Sequence, residues 1–238
     1  MNSNPKITTR RGVMVVGTPA VYARRLFRRF ASLGLLILAG GGGAAWVAYR
    51  DANFMAAAMI AAATCGAVAV TFQRAGQARV GVVSERKVVA ELTRTGVRAV
   101  ICGARPGGVG GDVDIVALGP GAAAIEVKTG YGKVTYSRGA LWVGNRRVMG
   151  DPIGQAARGA GRIGRALGGQ VWVDALVCVP GMSNKPFSVR NGQTVVWVCG
   201  LGDLGYVLSR LPFRVTDNQV KPLVGALIEA GRQLGEAA

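Results

Sequence analysis

The sequence predicts an α/β protein: a mixed central sheet flanked by helices, preceded by two transmembrane helices. Three observations carry that prediction. Two uncharged runs, residues 31–49 and 53–73, follow one another near the start of the chain. From about Gly81 the pattern becomes that of a globular domain, with runs ordered helix, strand, strand, strand, helix, strand. The later runs "QVWVDALVCVP" and "QTVVWVCG" are apolar enough to lie centrally in a sheet covered on both faces.

Residues 1–30 form a basic segment that carries Lys6, Arg10, Arg11, Arg24, Arg25, Arg28 and Arg29 and no acid. Residues 31–73 follow as a helical hairpin, since each uncharged run has about the ~20 residues that cross ~30 Å of hydrocarbon. The connection holds Arg50 offset by Asp51, whereas Arg74, Arg79, Arg86 and Lys87 follow the second run. Positive charge on both outer flanks predicts that both ends lie in the cytoplasm. The expected location is the inner (cytoplasmic) membrane, multi-pass, with residues 74–238 as a cytoplasmic domain. Gly40 to Gly43 and the Ala/Gly-rich second run predict close helix contact through small residues.

Within the domain, "VVSERKVVAELTRTG" reads as an amphipathic helix with Val83, Val88, Val89 and Leu92 on its apolar side and Gly96 as its stop. "VRAVICGA", "DVDIVALG" and "AAAIEVKT" read as strands, the last two joined by a turn at Pro120-Gly121. "KVTYS" and "ALWVG" continue the meander, and Gly144-Asn145 turns the chain into "RRVMG". Asp151-Pro152 starts a helix, the side chain as cap and proline in the first turn. That helix places Ile153, Ala156, Ala160, Ile163 and Leu167 on one side and Gln155, Arg158, Arg162 and Arg165 on the other. Helices near 201–211 and 220–234 end the chain.

Composition limits the chemistry. With 29 Lys+Arg against 12 Asp+Glu the formal charge is +17, which points to a polyanion, either nucleic acid or an anionic membrane face. The chain has no histidine, so imidazole acid/base catalysis, Ser-His and Cys-His nucleophiles and His-containing zinc sites are excluded. Cys65, Cys102, Cys178 and Cys199 are widely spaced without a CxxC and are read as buried, reduced thiols. "GGVGG", residues 107–111, lacks a following GK[ST] and helix; it is a flexible connection rather than a phosphate loop.

Residues 111–130, "GDVDIVALGPGAAAIEVKTG", set four charges into an apolar stretch. Buried charge is costly unless paired, metal-bound or functional. Alternation puts Asp112 and Asp114 on one face of their strand and Glu126 and Lys128 on one face of its neighbour, so Asp114 lies close to Glu126. Two adjacent carboxylates raise the proton affinity of one unless a cation separates them. An oxygen-only site with few protein ligands suits Mg²⁺ (or Mn²⁺), and Lys128 adds a fixed positive charge. The spacing alone fits either such a site or an ion-paired, solvated sheet face.

The succession "SERKVVAEL", "GDVDIVALGPGAAAIEVKTGYGKV", "LWVG" and "DPIGQA" resembles the nuclease-related domain (NERD) family, of the PD-(D/E)xK, restriction-endonuclease-like group, over about residues 81–167. The resemblance implies an αβββαβ core and a metal-dependent nuclease site. Asp114 matches the family's strand Asp, Glu126 and Lys128 its Glu-x-Lys, Glu85 the acid of the leading helix and Gln155 the Gln after the Asn/Asp-Pro turn. Asp151 stands where the family often has Asn, and Asp112 is an extra acid that replaces or assists Asp114. On this basis Asp114, Glu126, Lys128 and Gln155 are the expected catalytic residues. Asp114, Glu126, the Val127 carbonyl and Glu85 are the expected metal ligands, and Arg158, Arg162 and Arg165 the expected nucleic-acid contacts. Trp142 reads as packing, with base stacking the alternative. The expected reaction is phosphodiester hydrolysis in DNA, with RNA the other substrate. The competing readings are a non-catalytic nucleic-acid-binding or scaffold module and a component of a membrane DNA-transfer or defence apparatus with protein partners.

Overall fold

The computed structural model describes residues 7–19, 21–104, 112–119, 121–212 and 215–235; the 107–111 connection and Pro120 of the expected turn lie outside them. The chain divides into two compact units, one of Val21–Val82 and one of Met1–Ala20 with Val83–Ala238.

The first unit is a helical hairpin. Helix α1 spans Val21–Arg50 and helix α2 spans Phe54–Leu92. Between them Ala52 adopts φ 58°, and the Asn53 side chain caps α2 by accepting from Ala56 N–H at 3.1 Å. Trp46, Tyr49 and Phe54 cluster at this turn, with ring centroids 6.1 and 5.5 Å apart. Both helices contain segments long and apolar enough to cross a membrane, and only 6% and 11% of their apolar windows are buried. A soluble core helix would have most of that surface covered. The helices touch through residues seven apart: Gly34 lies against Thr71 and Phe72, and Gly41 against Thr64. A Cβ on Gly34 would come 2.9 Å from Thr71 Oγ1, and one on Gly41 would collide with Thr64. Both threonine hydroxyls turn back onto their own helix, Thr64 to Ile60 O at 2.7 Å and Thr71 to Val68 O at 2.8 Å, so neither donor is left unpaired in apolar surroundings.

In the second unit, eight strands form one mixed sheet. They are β1 (Ile7–Arg10), β2 (Val13–Val16), β3 (Ala99–Ala104), β4 (Val113–Leu118), β5 (Ala122–Val127), β10 (Asp174–Cys178), β12 (Phe187–Asn191) and β13 (Thr194–Cys199). The spatial order is β1-β2-β3-β4-β5-β10-β13-β12. β3, β4 and β5 are antiparallel neighbours, while β10 runs parallel to both β5 and β13. Helix α3 (Pro152–Ala166) makes the crossover from β5 to β10. Asp151 caps it, accepting from Gly154 N–H at 2.9 Å, with proline in the first turn as its sequence predicts. Ile153, Ala156, Ala160 and Ile163 of α3 pack on Val116, Leu118, Ala122 and Ala124, joined by Val220, Leu223 and Leu227 of α5 (Asp217–Gly235). The other face meets Val88, Val89 and Leu92 at the end of α2, and Leu204, Val207 and Leu208 of α4 (Leu204–Ser209). The predicted mixed α/β architecture, with helices on both faces, is thus the observed one.

Several elements differ from expectation. The second apolar run and the leading domain helix are one uninterrupted helix, because neither Gly76 nor Gly81 breaks α2. Val83 is 43% exposed and Ser84 is buried in its place, since the stripe through Val88 and Leu92 runs back to residue 84 or 85. Residues 7–16 are a hairpin at the edge of the sheet. "KVTYS" and "ALWVG" leave the main sheet: β7 (Val134–Ser137), β8 (Ala140–Val143) and β9 (Arg146–Arg147) form a separate small one. The cause is a long-range one, since Asn184 holds Val134 by both backbone groups, at 2.7 and 3.0 Å, where a neighbouring strand would pair. A short pair, β6 (Tyr131–Gly132) with β11 (Gly181–Met182), flanks it. Cys102, Cys178 and Cys199 are buried free thiols, but Cys65 is exposed on α2.

The hairpin contact is testable. Gly41→Leu should separate the helices at Thr64 and destabilise the hairpin by about 1–3 kcal/mol, the usual cost of overpacking. Gly42→Leu, where a side chain meets open space, should leave thermal melting in detergent unchanged. Equal melting shifts would show that Gly41 is not the contact.

Candidate functional site

β4 and β5 pair from Leu118–Ala122 to Ile115–Ile125 and then separate. The next residue of β4 in this register is Asp114, opposite Glu126. Val127 N–H, which points toward β4, finds the Asp114 side chain rather than a strand carbonyl: Oδ2 accepts it at 2.8 Å. An extended residue sends its N–H and C=O toward the same neighbour, so the Val127 carbonyl is directed into the same gap. On its other edge β5 continues along β10, with Lys128 N–H donating to Cys178 O at 2.9 Å. The gap is therefore open on one side and held rigidly on the other.

Glu126 follows Ala122 and Ala124 on the face packed by α3. Lys128 shares that face, its Nζ 2.7 Å from Glu126 Oε1. Their side chains are only 21% and 13% exposed, so this pair is far better shielded than an ordinary surface ion pair. Burial, and next the charge of Glu126, push the Asp114 carboxyl up to about 7; the Val127 hydrogen bond and Lys128 act in the opposite direction. Glu85 adds to the rise, and burial, with a smaller push from the charge of Glu85, also raises the Cys102 thiol to about 12. Glu85 lies on the inward stripe of α2 with Val88, Val89 and Leu92, which is why its charge reaches both strands.

The structure thus brings Asp114, Glu126, Lys128 and the Val127 backbone together, with Glu85 in electrostatic reach. The extra acid, Asp112, lies just before β4, and the charges acting on Asp114 are those of Glu126, Glu85 and Lys128. Gln155 is in the first turn of α3. One turn later, Gly159 lies against Val113 and Ala124, which sets Gln155 toward the carboxyl end of β5. Its Oε1 is buried with no hydrogen-bond partner among the described residues. Arg158 is exposed and reaches Asp151 at 3.5 Å, Arg162 is half-buried, and Arg165 is exposed in the last turn. From Gln155 to Arg165 the helix advances about 15 Å, so the arginine stripe leads away from the cluster. At that far end Arg165 and Trp172 line a cavity of about 880 Å³. Asp174, to which the sequence reading assigns nothing, lies at the start of β10 with Oδ2 buried and unpaired and its carboxyl raised by burial. No pattern in its neighbours "VWVDALV" distinguishes it from a strand-end charge.

Among the described residues no three Asp, Glu, Cys or His side chains converge as a metal cage. Chemically the site offers two carboxylates and a directed carbonyl beside an ammonium, with the Asp114 carboxyl raised toward neutrality by burial and then by the charge of Glu126.

No curated protein and no solved structure matches the chain. Residues 81–180, which hold the end of α2, the β3–β4–β5 strands, the small sheet, α3 and β10, match the model of the NERD family, the nuclease-related domain.

Proposed function

We propose that this chain is a membrane-anchored nuclease that hydrolyses phosphodiester bonds in DNA, with RNA as a second substrate, and depends on Mg²⁺ or Mn²⁺. The observation that carries the reading is the Asp114 carboxylate in the β4–β5 gap, 2.8 Å from Val127 N–H and beside the Glu126–Lys128 pair. The donor set fits a hard divalent cation: two carboxylates and the Val127 carbonyl are oxygen ligands, too few to close the shell, which suits an ion that keeps waters. Glu85 would act from its longer range on the same ion. Once bound, the cation would polarise the phosphodiester and acidify a water.

The protein's own groups have separate tasks. Asp114 and Glu126 supply the negative charge that holds the ion. Lys128, fixed by Glu126, sets a positive charge where negative charge develops on the phosphoryl oxygens or the attacking water. Gln155 offers an unused amide oxygen at the same end of the sheet, suited to orienting a water. Arg158, Arg162 and Arg165 provide a stripe for the backbone of the nucleic acid, without reading its sequence. The two apolar helices anchor the domain in a membrane, and the basic flanks favour both ends on the cytoplasmic side of an inner membrane.

The full chain in detergent should nick plasmid DNA with Mg²⁺ or Mn²⁺, and Glu126→Gln or Lys128→Ala should lower the rate about 100-fold or more. Cleavage that survives both substitutions, or none with either metal, would remove the hydrolytic role. The pH dependence of stability gives a second check. In chelator, the folded protein binds a proton at Asp114 that the unfolded chain releases near pH 3.8, so stability should fall as pH rises from about 4 to about 7. The loss is at most about 4 kcal/mol at 1.36 kcal/mol per unit. Asp114→Asn should flatten this slope, and Mg²⁺ at pH 8 should raise the melting temperature of wild type but not of the variant. A flat wild-type profile would show that Asp114 is not crowded by burial and Glu126.

A further inference from the structure

Between the Glu126–x–Lys128 strand and the α3 cap lies the small sheet β7–β8–β9, rooted at both ends in the candidate site. It begins six residues after Lys128 and ends four residues before Asp151. No Asp or Glu occurs from 127 to 150, whereas Lys133, Arg138, Arg146 and Arg147 do. All four are exposed, and no carboxylate of the described residues pairs with them.

Register separates the two faces of this ribbon. Val134, Leu141 and Val143 face inward and join the core under α3. Thr135, Trp142 and Arg147 stand opposite one another on the outward face, with Ser137 beside them. The Trp142 indole N–H reaches Ser137 O at 3.4 Å, which holds the ring along the ribbon next to Arg147. Two tight turns present the rest: Arg138-Gly139, with φ 51° and 69°, and Gly144-Asn145, with Gly144 at φ 57°. Two consecutive positive φ values match the twist of a two-residue hairpin, so Arg138 is carried on a rigid tip rather than a loose loop.

We infer that the outward face of the β7–β9 ribbon grips the phosphate backbone of the nucleic acid beside the β4–β5 gap, with Arg147 on that face and Arg138 at its turn as the principal contacts. This rests on the nuclease reading for the identity of the polyanion. Cationic side chains mixed with hydroxyls, on a strand pair rooted at the carboxylate cluster, suit a backbone whose scissile phosphate must reach that cluster. An anionic membrane would instead favour a more apolar outer face.

The test measures fluorescence anisotropy of a labelled DNA duplex with the full chain in zwitterionic nanodiscs and chelator, across a salt series. Arg138→Ala/Arg147→Ala should lower low-salt affinity at least tenfold and reduce the slope of log K against log salt by about 1.8, roughly 0.9 per lost phosphate contact. Arg210→Ala/Lys221→Ala, which removes the same charge elsewhere, should change affinity less than threefold. Equal losses from the two pairs, or none from the ribbon pair, would overturn the inference. So would a ribbon pair that weakens binding to anionic vesicles and leaves DNA binding intact. Unchanged melting of the ribbon variant excludes unfolding as the cause. Because binding is read without metal, failure of cleavage in Mg²⁺ would sink the nuclease reading while leaving this binding result standing.

Discussion

One backbone N–H organises the candidate site. Val127 continues β5 past the last residue pair with β4, so its N–H would be a buried donor without a strand partner. An orphaned donor of that kind costs about 1–3 kcal/mol. Asp114 removes the cost by reaching across at 2.8 Å, and this fixes where the carboxylate lies, where the Val127 carbonyl points and how far β4 can stray from β5. Glu126 and Lys128 are then placed by strand alternation alone. The site is the point at which a sheet stops pairing on one edge while β10 keeps it straight on the other.

Charge is distributed around this point in an uneven way. The chain carries +17, and 12 acids serve all of its 238 residues. Of these, Asp114 and Glu126 sit in one shielded gap with Glu85 near enough to raise the Asp114 carboxyl, and a single ammonium faces them. The following 24 residues, 127–150, contain no acid at all. A negative hollow is thus bordered by a positive ribbon, so the two signs of charge are separated along this stretch rather than mixed. The absence of histidine leaves carboxylates and lysine as the groups able to act there, which is consistent with the arrangement.

Much of this was legible before any coordinates. Two uncharged runs, a βββ succession, an Asp-Pro helix start and the amphipathic α3 each have a local signal, and each is present. The Asp114–Glu126 proximity followed from a short turn and a period of two. What stayed hidden is non-local. β1 reads Ile-Thr-Thr-Arg with every residue exposed, so it shows no apolar alternation, and its place depends on β2 pairing with β3, which is more than 80 residues away in the chain. The departure of β7 from the sheet depends on Asn184, about 50 residues later. Asp112 remains an acid that could replace or assist Asp114 in the sequence, because nothing there says where β4 leaves β5. β12 is different: Gly192, at φ 59° in a two-residue turn between Asn191 and Thr194, is a hairpin signal that the reading passed over.

The candidate site also sets a limit on the stability of the domain. A carboxyl held near 7 instead of its usual value is a standing cost at neutral pH, larger than any surface ion pair returns. Replacing the cluster by apolar residues of like volume would relieve it. The surrounding sheet is well able to carry the cost, since Ile115, Ile125, Val116 and Leu176 beside the gap are completely buried. The rise comes from burial first and then from Glu126, and what would oppose it is positive charge beside the carboxyl. Lys128 cannot supply it to Asp114 in full, because it is already committed to Glu126 at 2.7 Å. A second cation from outside the chain would lower the Asp114 carboxyl and turn that cost into binding energy, so the electrostatic imbalance and the directed Val127 carbonyl argue for the same occupant.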